Sequence, residues 1–280
     1  MSAERPLWGI QEKHPLWRAE FPRASQYDPD WVLAHQMGPN VLWLTEWLCQ
    51  AMDLRPGMRV LDMGCGKGLS SIFMARELDL QVWANDLWIK PGENWKRACG
   101  AGLQDRICPI QAEARALPYA EEFFDAILCV DSYIYFGTDD MYLEYFTKFV
   151  KPGGQLGIVV PGLTHDFAGP VPEYLTRTQQ SGGVFWGQDC WCFHTPQWWR
   201  HLWARTNLVE VELAETMPQG WKLWLEWEQL LEDLGANHFP SDVEALAEDQ
   251  GRHIGLLRMV ARRAYPSLLN APPPPLRTAS

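Results

Sequence analysis

The chain has 280 residues, 47% of them apolar, which is enough for one large domain with additions. Its formal charge of −11 argues against nucleic acid and against an anionic membrane surface, because both are bound largely through Lys and Arg. No apolar run is long enough for a membrane span, the N-terminus lacks a secretory pattern, and seven scattered cysteines read as reduced thiols of a cytoplasmic protein.

Residues 1–40 alternate Pro, aromatic and charged positions and read as an arm laid over the domain. Asn40 is a candidate cap for a helix over Val41–Met52, and Pro56-Gly57 turns the chain into a strand over Met58–Asp62. Strand and helix then alternate: helix Leu69–Leu78, strand Gln81–Asn85, helix Asn94–Ala101, strand Arg106–Gln111, strand Phe124–Val130, helix Asp140–Val150 and strand Gln155–Val160. Pro109 restricts its strand to a sheet edge, whereas Phe124–Val130 is apolar enough to be buried on both faces. This rhythm predicts an α/β fold with a mostly parallel sheet, right-handed crossovers and helices on both faces.

Residues 161–194, rich in Pro, Gly and aromatics, break the rhythm and read as a lid. Thr195-Pro196 opens a helix to about Arg205, followed by a strand at Leu208–Leu213. A Trp-rich helix at Trp221–Leu234, a helix at Ser241–Glu248 and a strand at His253–Arg262 follow. The domain is thus expected over 41–265, with a helical insertion at 219–251. Residues 266–280 read as a Pro-rich disordered tail.

The stretch Met58–Ser71 carries the strongest chemical signal. An apolar run ends in Asp62, three glycines stand at alternate positions (Gly64, Gly66, Gly68), and a helix begins at Leu69. Glycine allows a tight turn and close backbone approach to a ligand, and the new helix offers free N–H groups. The spacing fits neither the dinucleotide fingerprint nor a P-loop. Asp62 would repel a diphosphate and suits a ligand carrying an ammonium group. Asp86, eighteen residues after Gly68, ends the second strand, where a carboxylate can accept both ribose hydroxyls. Glu113 and Asp131 end the third and fourth strands on the same carboxyl edge.

Four blocks in order resemble the class I S-adenosylmethionine (SAM) methyltransferases of the small-molecule type. They are Val60–Gly68, Asp86, the segment from Ala112-Glu113-Ala114 through Leu117-Pro118-Tyr119 to Phe124-Asp125, and Lys151-Pro152-Gly153-Gly154. The resemblance implies a Rossmann-like seven-stranded sheet of order 3-2-1-4-5-7-6, the last strand antiparallel beside the fifth. It implies SAM as cofactor and S-adenosylhomocysteine as product. Asp62 and the Gly64–Cys65–Gly66–Gly68 backbone would hold the methionine end. Asp86 would hold the ribose, Leu87 would lie on the adenine, Ala112, Glu113 and Ala114 would face the adenine edge, and Asp131 would lie near the sulfonium. The insertion at 219–251 departs from the family pattern. Asp131-Ser132-Tyr133 lacks the Pro-Pro-Tyr block of amino-methyltransferases of DNA or glutamine, and Cys129 is not preceded by proline as base C5-methylation requires.

Thirteen of sixteen tryptophans lie before residue 50 or after 150, so an aromatic-lined pocket for a small-molecule acceptor is expected from arm and lid. Trp186, Trp191, Trp198, Trp199 and Tyr133 are its candidate walls. Where the acceptor carries a proton, His165, His194 and Tyr133 are the candidate bases, and His35 and Tyr135 also carry suitable groups. Cys190-x-Cys192-x-His194 has metal-compatible alternation but no fourth ligand nearby, so no metal is expected. The sequence leaves a monomer and a homodimer open. It also leaves open a non-catalytic SAM-binding protein and, against the glycine spacing, a nicotinamide-dependent oxidoreductase.

Overall fold

The computed structural model describes residues 14–265. The expected tail lies outside these residues, as does the start of the arm. Seven strands form one sheet: β1 (Arg59–Met63), β2 (Gln81–Asp86), β3 (Ile107–Gln111), β4 (Phe124–Val130), β5 (Val150–Leu163), β6 (Val209–Thr216) and β7 (Ile254–Arg263). Their order is β3-β2-β1-β4-β5-β7-β6, as the resemblance implies. Pairs among the first five strands are parallel, and β7 runs antiparallel to both β5 and β6. Pro109 does lie on the edge strand β3.

The helices are α1 (Pro29–His35), α2 (Val41–Cys49), α3 (Leu69–Glu77), α4 (Pro91–Gly100), α5 (Tyr142–Thr147), α6 (Glu173–Thr176), α7 (Pro196–Ala204), α8 (Gly220–Leu234) and α9 (Val243–Asp249). Two helices begin at the caps read in the sequence. The Asn40 side chain accepts from the amides of Leu42 and Trp43, and Thr195 accepts from the amide of Trp198.

One strand is longer than expected. β5 starts at Val150 and runs through Lys151-Pro152-Gly153-Gly154, five residues before the expected start at Gln155. Gly153 takes φ +78°, and the β4–β5 register shifts between Phe124 and Ala126, so an irregularity absorbs the turn residues inside the strand. At its other end β5 reaches Leu163, paired with Ile254 of β7, and so carries the sheet past the end of β4.

The arm is anchored by a buried carboxylate. Glu46 on α2 accepts from the amides of Ala24 (2.7 Å) and Arg23 (3.2 Å), where a short 3₁₀ turn spans Ala24–Gln26. Phe21 stacks on Trp43 of α2, and Trp43 meets Trp227 of α8 edge-on at 6.1 Å. Arg18 pairs with Glu226 of α8 at 2.6 Å. The arm, α2 and the helical insertion therefore share one apolar core with the sheet.

Candidate active site

The chain leaves β1 through the glycine turn. Gly64, Gly66 and Gly68 have φ of +75°, +52° and +82°, a region that side-chain-bearing residues rarely adopt. The turn hangs on the end of β2, where the carbonyl of Asn85 accepts from the amides of Gly64 (2.9 Å) and Cys65 (3.0 Å). Asn94 Nδ2 donates to the carbonyl of Gly66 at 2.9 Å. Gly68 caps α3 without any side-chain acceptor, so the first-turn amides of that helix receive no side-chain cap.

Asp62 lies directly behind the turn and is fully buried. Its Oδ2 accepts from the hydroxyls of Ser70 (2.6 Å) and Ser71 (2.5 Å), and its Oδ1 is buried with no partner among the described residues. Burial pushes its pKa up to about 6, against the two serine bonds. An orphaned carboxylate oxygen beside an uncapped helix N-terminus offers one acceptor for a cation and free amides for an anion, which fits the zwitterionic end of an amino acid.

Asp86 turns toward the glycine loop. Its Oδ2 accepts from the Gly66 amide at 2.8 Å, and its Oδ1 accepts from the amides of Trp88 (2.8 Å) and Ile89 (2.9 Å). One carboxylate thus ties the ends of β1 and β2 together. Its two oxygens have about four acceptor sites, three of them used, so capacity for a hydroxyl donor remains. Leu87 beside it is half-exposed, and its carbonyl accepts from Gln111 Nε2 at 2.9 Å. The amide of Ala112 donates to the carbonyl of Asp86, and Ala114 is buried. The Glu113 carboxylate accepts from the amide of Arg115 at 2.8 Å and pairs with its guanidinium.

Asp131 ends β4 with φ +60°. Its neighbour Ser132 donates to the carbonyl of Met63 at 3.0 Å, which places the Asp131–Ser132 corner beside the glycine turn. A Cβ added to Gly64 would lie 2.1 Å from Ser132 Oγ, and one added to Gly38 would lie 2.5 Å from Asp131 Oδ2. Residues 34–40 of the arm form a strap over this corner. Met37 Sδ lies against Gly66, Lys67 Nζ reaches the carbonyl of Ala34 at 3.3 Å, and Trp227 Nε1 donates to the carbonyl of Gly38 at 2.9 Å. No periodicity or acid at 34–38 marks this strap in the sequence. The partners of Asp62, Ser70 and Ser71, stood in plain sight one turn into the helix.

The three candidate bases are placed differently. Tyr133 is fully buried among Phe136, Tyr142, Phe146, Trp199 and Trp203, and burial holds its hydroxyl far above the usual tyrosine range. His194 is half-buried, its ring stacked on Trp198 at 3.5 Å, and burial lowers its pKa despite the nearby Asp166. His165 is exposed at the end of β5, its Nδ1 3.0 Å from Thr164 Oγ1 and its ring 5.1 Å from that of His253. No hydrogen bond joins these three to one another or to the glycine turn among the described residues. Of the expected aromatic walls, Trp198 and Trp199 meet edge-on at 4.9 Å and Trp199 packs on Tyr133 at 5.7 Å, whereas Trp186 packs apart on Phe167 and Phe193 and Trp191 is exposed. Cys190 and Cys192 donate to separate carbonyls, those of Phe185 and Asp189.

Residues 60–154 match the family described as "Methyltransferase domain". The chain is 34% identical to "Methyltransferase GfsG" of Streptomyces halstedii over 134 residues, 46% of this chain and 48% of that one. It is 32% identical to "27-O-demethylrifamycin SV methyltransferase" of Amycolatopsis mediterranei over 153 residues, 54% and 52% of the two chains. It therefore spans about half the length of the curated relatives it matches. The fold resembles geranyl diphosphate C-methyltransferase from Streptomyces coelicolor, solved with Mg2+, geranyl diphosphate and S-adenosylhomocysteine. The TM-score is 0.59 at 16% identity, covering 79% of this chain and 78% of that one. No helix among the described residues is long and apolar enough to cross a membrane. The matched segment, the sheet order and the relatives thus agree with the resemblance to class I SAM-dependent methyltransferases.

Proposed function

We propose that the protein transfers a methyl group from SAM to a small-molecule acceptor and releases S-adenosylhomocysteine. The observation that carries this reading is the orphaned Oδ1 of Asp62 behind three left-handed glycines on the carboxyl edge of the sheet. SAM would supply an activated methyl group. Asp62 and the backbone of Gly64, Cys65, Gly66 and Gly68 would take its methionine end, and Asp86 its ribose. Leu87 would lie on the adenine, with Ala112, Glu113 and Ala114 at its edge, and Asp131 would stand near the sulfonium.

The task left to this chain's residues is to hold the acceptor in line and to exclude water. The strap of Met37 and Gly38 covers the turn, and the aromatic lid covers the end of β5. Where the acceptor must lose a proton, His165 and His194 are candidates on the lid side. Asp131, which burial raises to about 7, is one on the cofactor side. The buried hydroxyl of Tyr133 is better suited to packing than to proton transfer.

Calorimetry with S-adenosylhomocysteine tests the reading. Saturable binding is expected, abolished by Asp86→Ala and by Gly66→Val. Failure of the unaltered protein to bind either SAM or S-adenosylhomocysteine would overturn it.

A further inference from the structure

The link between α1 and α2 carries Gln36, Met37 and Gly38 across the corner between the glycine turn and Asp131. A Cβ on Gly66 would lie 3.0 Å from Met37 Sδ, and one on Gly38 would lie 2.5 Å from Asp131 Oδ2, so the strap touches both ends of this line. On the methyltransferase reading the methionine end of SAM lies at Gly66 and the sulfonium near Asp131. A ligand on that line is roofed by Met37 and Gly38. From this side it passes only when the strap moves.

The way the strap is held bears on how it moves. Its two ends are fixed, since α1 closes at His35 and the buried side chain of Asn40 caps α2. Between them the amides of Gln36, Met37 and Gly38 make no backbone–backbone hydrogen bond among the described residues. Side chains fasten the segment instead. On the side of the turn, Lys67 Nζ donates to the carbonyl of Ala34 at 3.3 Å. Two further bonds tie the strap to the helical insertion. Trp227 Nε1 of α8 donates to the carbonyl of Gly38 at 2.9 Å, and the buried Gln36 donates through Nε2 to the carbonyl of Ala236 at 3.1 Å. Ala236 belongs to the turn that ends α8, where its amide donates to the carbonyl of Leu231 and Gly235 takes φ +61°. One helix and its cap therefore present both fastening points. A segment without a backbone ladder, held by a few side-chain bonds, opens at a lower free energy than the core it covers.

We propose that the strap at 36–38 is the gate for cofactor exchange and that the helical insertion is its latch. This rests on the methyltransferase reading above and adds the control of that site. It also gives the insertion, absent from the usual family pattern, a purpose. The two latch bonds run to α8 and its cap, not to the line between Gly66 and Asp131. Weakening them favours the open strap equally in the free and the loaded protein. Entry and exit then quicken together, and the affinity stays where it was. By the same coupling, whatever displaces α8 changes the rate at which the cofactor is exchanged.

The test uses the full chain and radiolabelled S-adenosylhomocysteine. Association is read on mixing, and dissociation on chase with excess unlabelled ligand. Gln36→Ala removes one latch bond. Trp227→Phe removes the other and keeps an aromatic ring in the core. Each substitution should raise both rate constants about fivefold, the effect of one neutral hydrogen bond, with Kd unchanged within about twofold. Hydrogen exchange at the amides of 36–38 should quicken in both variants. A rise in dissociation alone, with Kd weakened to match, would make the strap a wall of the site and not its gate, and would overturn the proposal. Rates that neither substitution moves would overturn it as well. Failure of the unaltered protein to bind S-adenosylhomocysteine at all would instead count against the methyltransferase reading.

Discussion

Two regions meet at Asp131, and they are built on opposite terms. On the side of β1 and β2, polar side chains are bonded to backbone. Asp86 holds three amides, Asn94 holds the Gly66 carbonyl, and Asn85 donates to the Ala112 carbonyl. On the side of α8 and α9, the Glu228 carboxylate is buried against the amide of Asp242 and the indole of Trp224, with no ion pair to a cation among the described residues. The first region is assembled before any ligand arrives, which reduces the ordering cost of binding. The second keeps a buried carboxylate without a counter-charge, and the fold bears its desolvation. In the first region Asp62 Oδ1 is buried without a partner among the described residues, and it lies where the ligand's ammonium group is proposed to bind.

The strap between the two regions depends on Trp227, which is fully buried and donates to the carbonyl of Gly38. Trp227→Ala should therefore have the largest effect on stability, about 3–5 kcal/mol for a lost buried indole. Chemical denaturation should show the loss. Stability within about 1 kcal/mol of the unaltered protein would mean the strap and α8 are not one packed unit. Gly64→Val acts on the other side. It sets a β-branched residue at φ +75° and drives its Cβ into Ser132 Oγ, at a strain of about 1–3 kcal/mol. Because that strain falls on the turn itself, affinity for S-adenosylhomocysteine should be lost by calorimetry. Unchanged affinity would place the ligand away from the turn.

A smaller effect is expected where the lid is fastened. Tyr174 of α6 donates to the buried carboxylate of Asp249 at 2.6 Å, and Arg177 pairs with Glu244 and Glu248 of α9. The lid is thereby tied to the helix that carries Asp242. Asp249 keeps the amides of His253 and Ile254 if the phenol is removed. Tyr174→Phe should then cost about 1.5 kcal/mol, the low end for a bond to a charged group. Proteolysis within 161–194 should rise more than the midpoint of global unfolding falls.

How far the sequence disclosed this arrangement follows the same division. Within 41–160 the glycine spacing, the acids at strand ends and the cap at Asn40 are local signals, and each appears in the structure at the expected place. The sheet order follows from the resemblance those signals carry. Beyond residue 160 the helices and strands are again legible from their periodicity, but the contacts that matter are not local. Met37 meets Gly66, Asp131 meets Gly38, and Glu228 acts on both Asp131 and Asp242, across separations that no spacing rule spans. Glu228 sits on a Trp-rich helix among Glu226 and Glu232 and looks like one more solvated acid. Only the packing of α8 onto the sheet separates it from its exposed neighbours. The two ends of β5 escaped for a related reason: a bulge at Gly153 and pairing to β7 extend a strand that Pro and Gly would locally end.

The smallest effect sharpens the comparison furthest, because it separates buried charge from simple packing. Burial raises Asp131, Glu228 and Asp242 to about 7 and Asp62 to about 6, all above the values expected in an unfolded chain. Between about pH 4.5 and pH 7 the folded protein then holds more protons than the unfolded one, so stability falls as pH rises through this window. Each full proton of difference contributes at most about 1.4 kcal/mol per pH unit, and neighbouring acids divide that slope among them. Glu228→Gln removes one such group and one negative neighbour from each of the other two. The variant should melt close to the unaltered protein at about pH 5, where Glu228 is already neutral, and above it at about pH 8. Melting curves that stay parallel from pH 5 to pH 8 would place Glu228 among groups whose burial costs nothing and leave the second region no different in kind from the first.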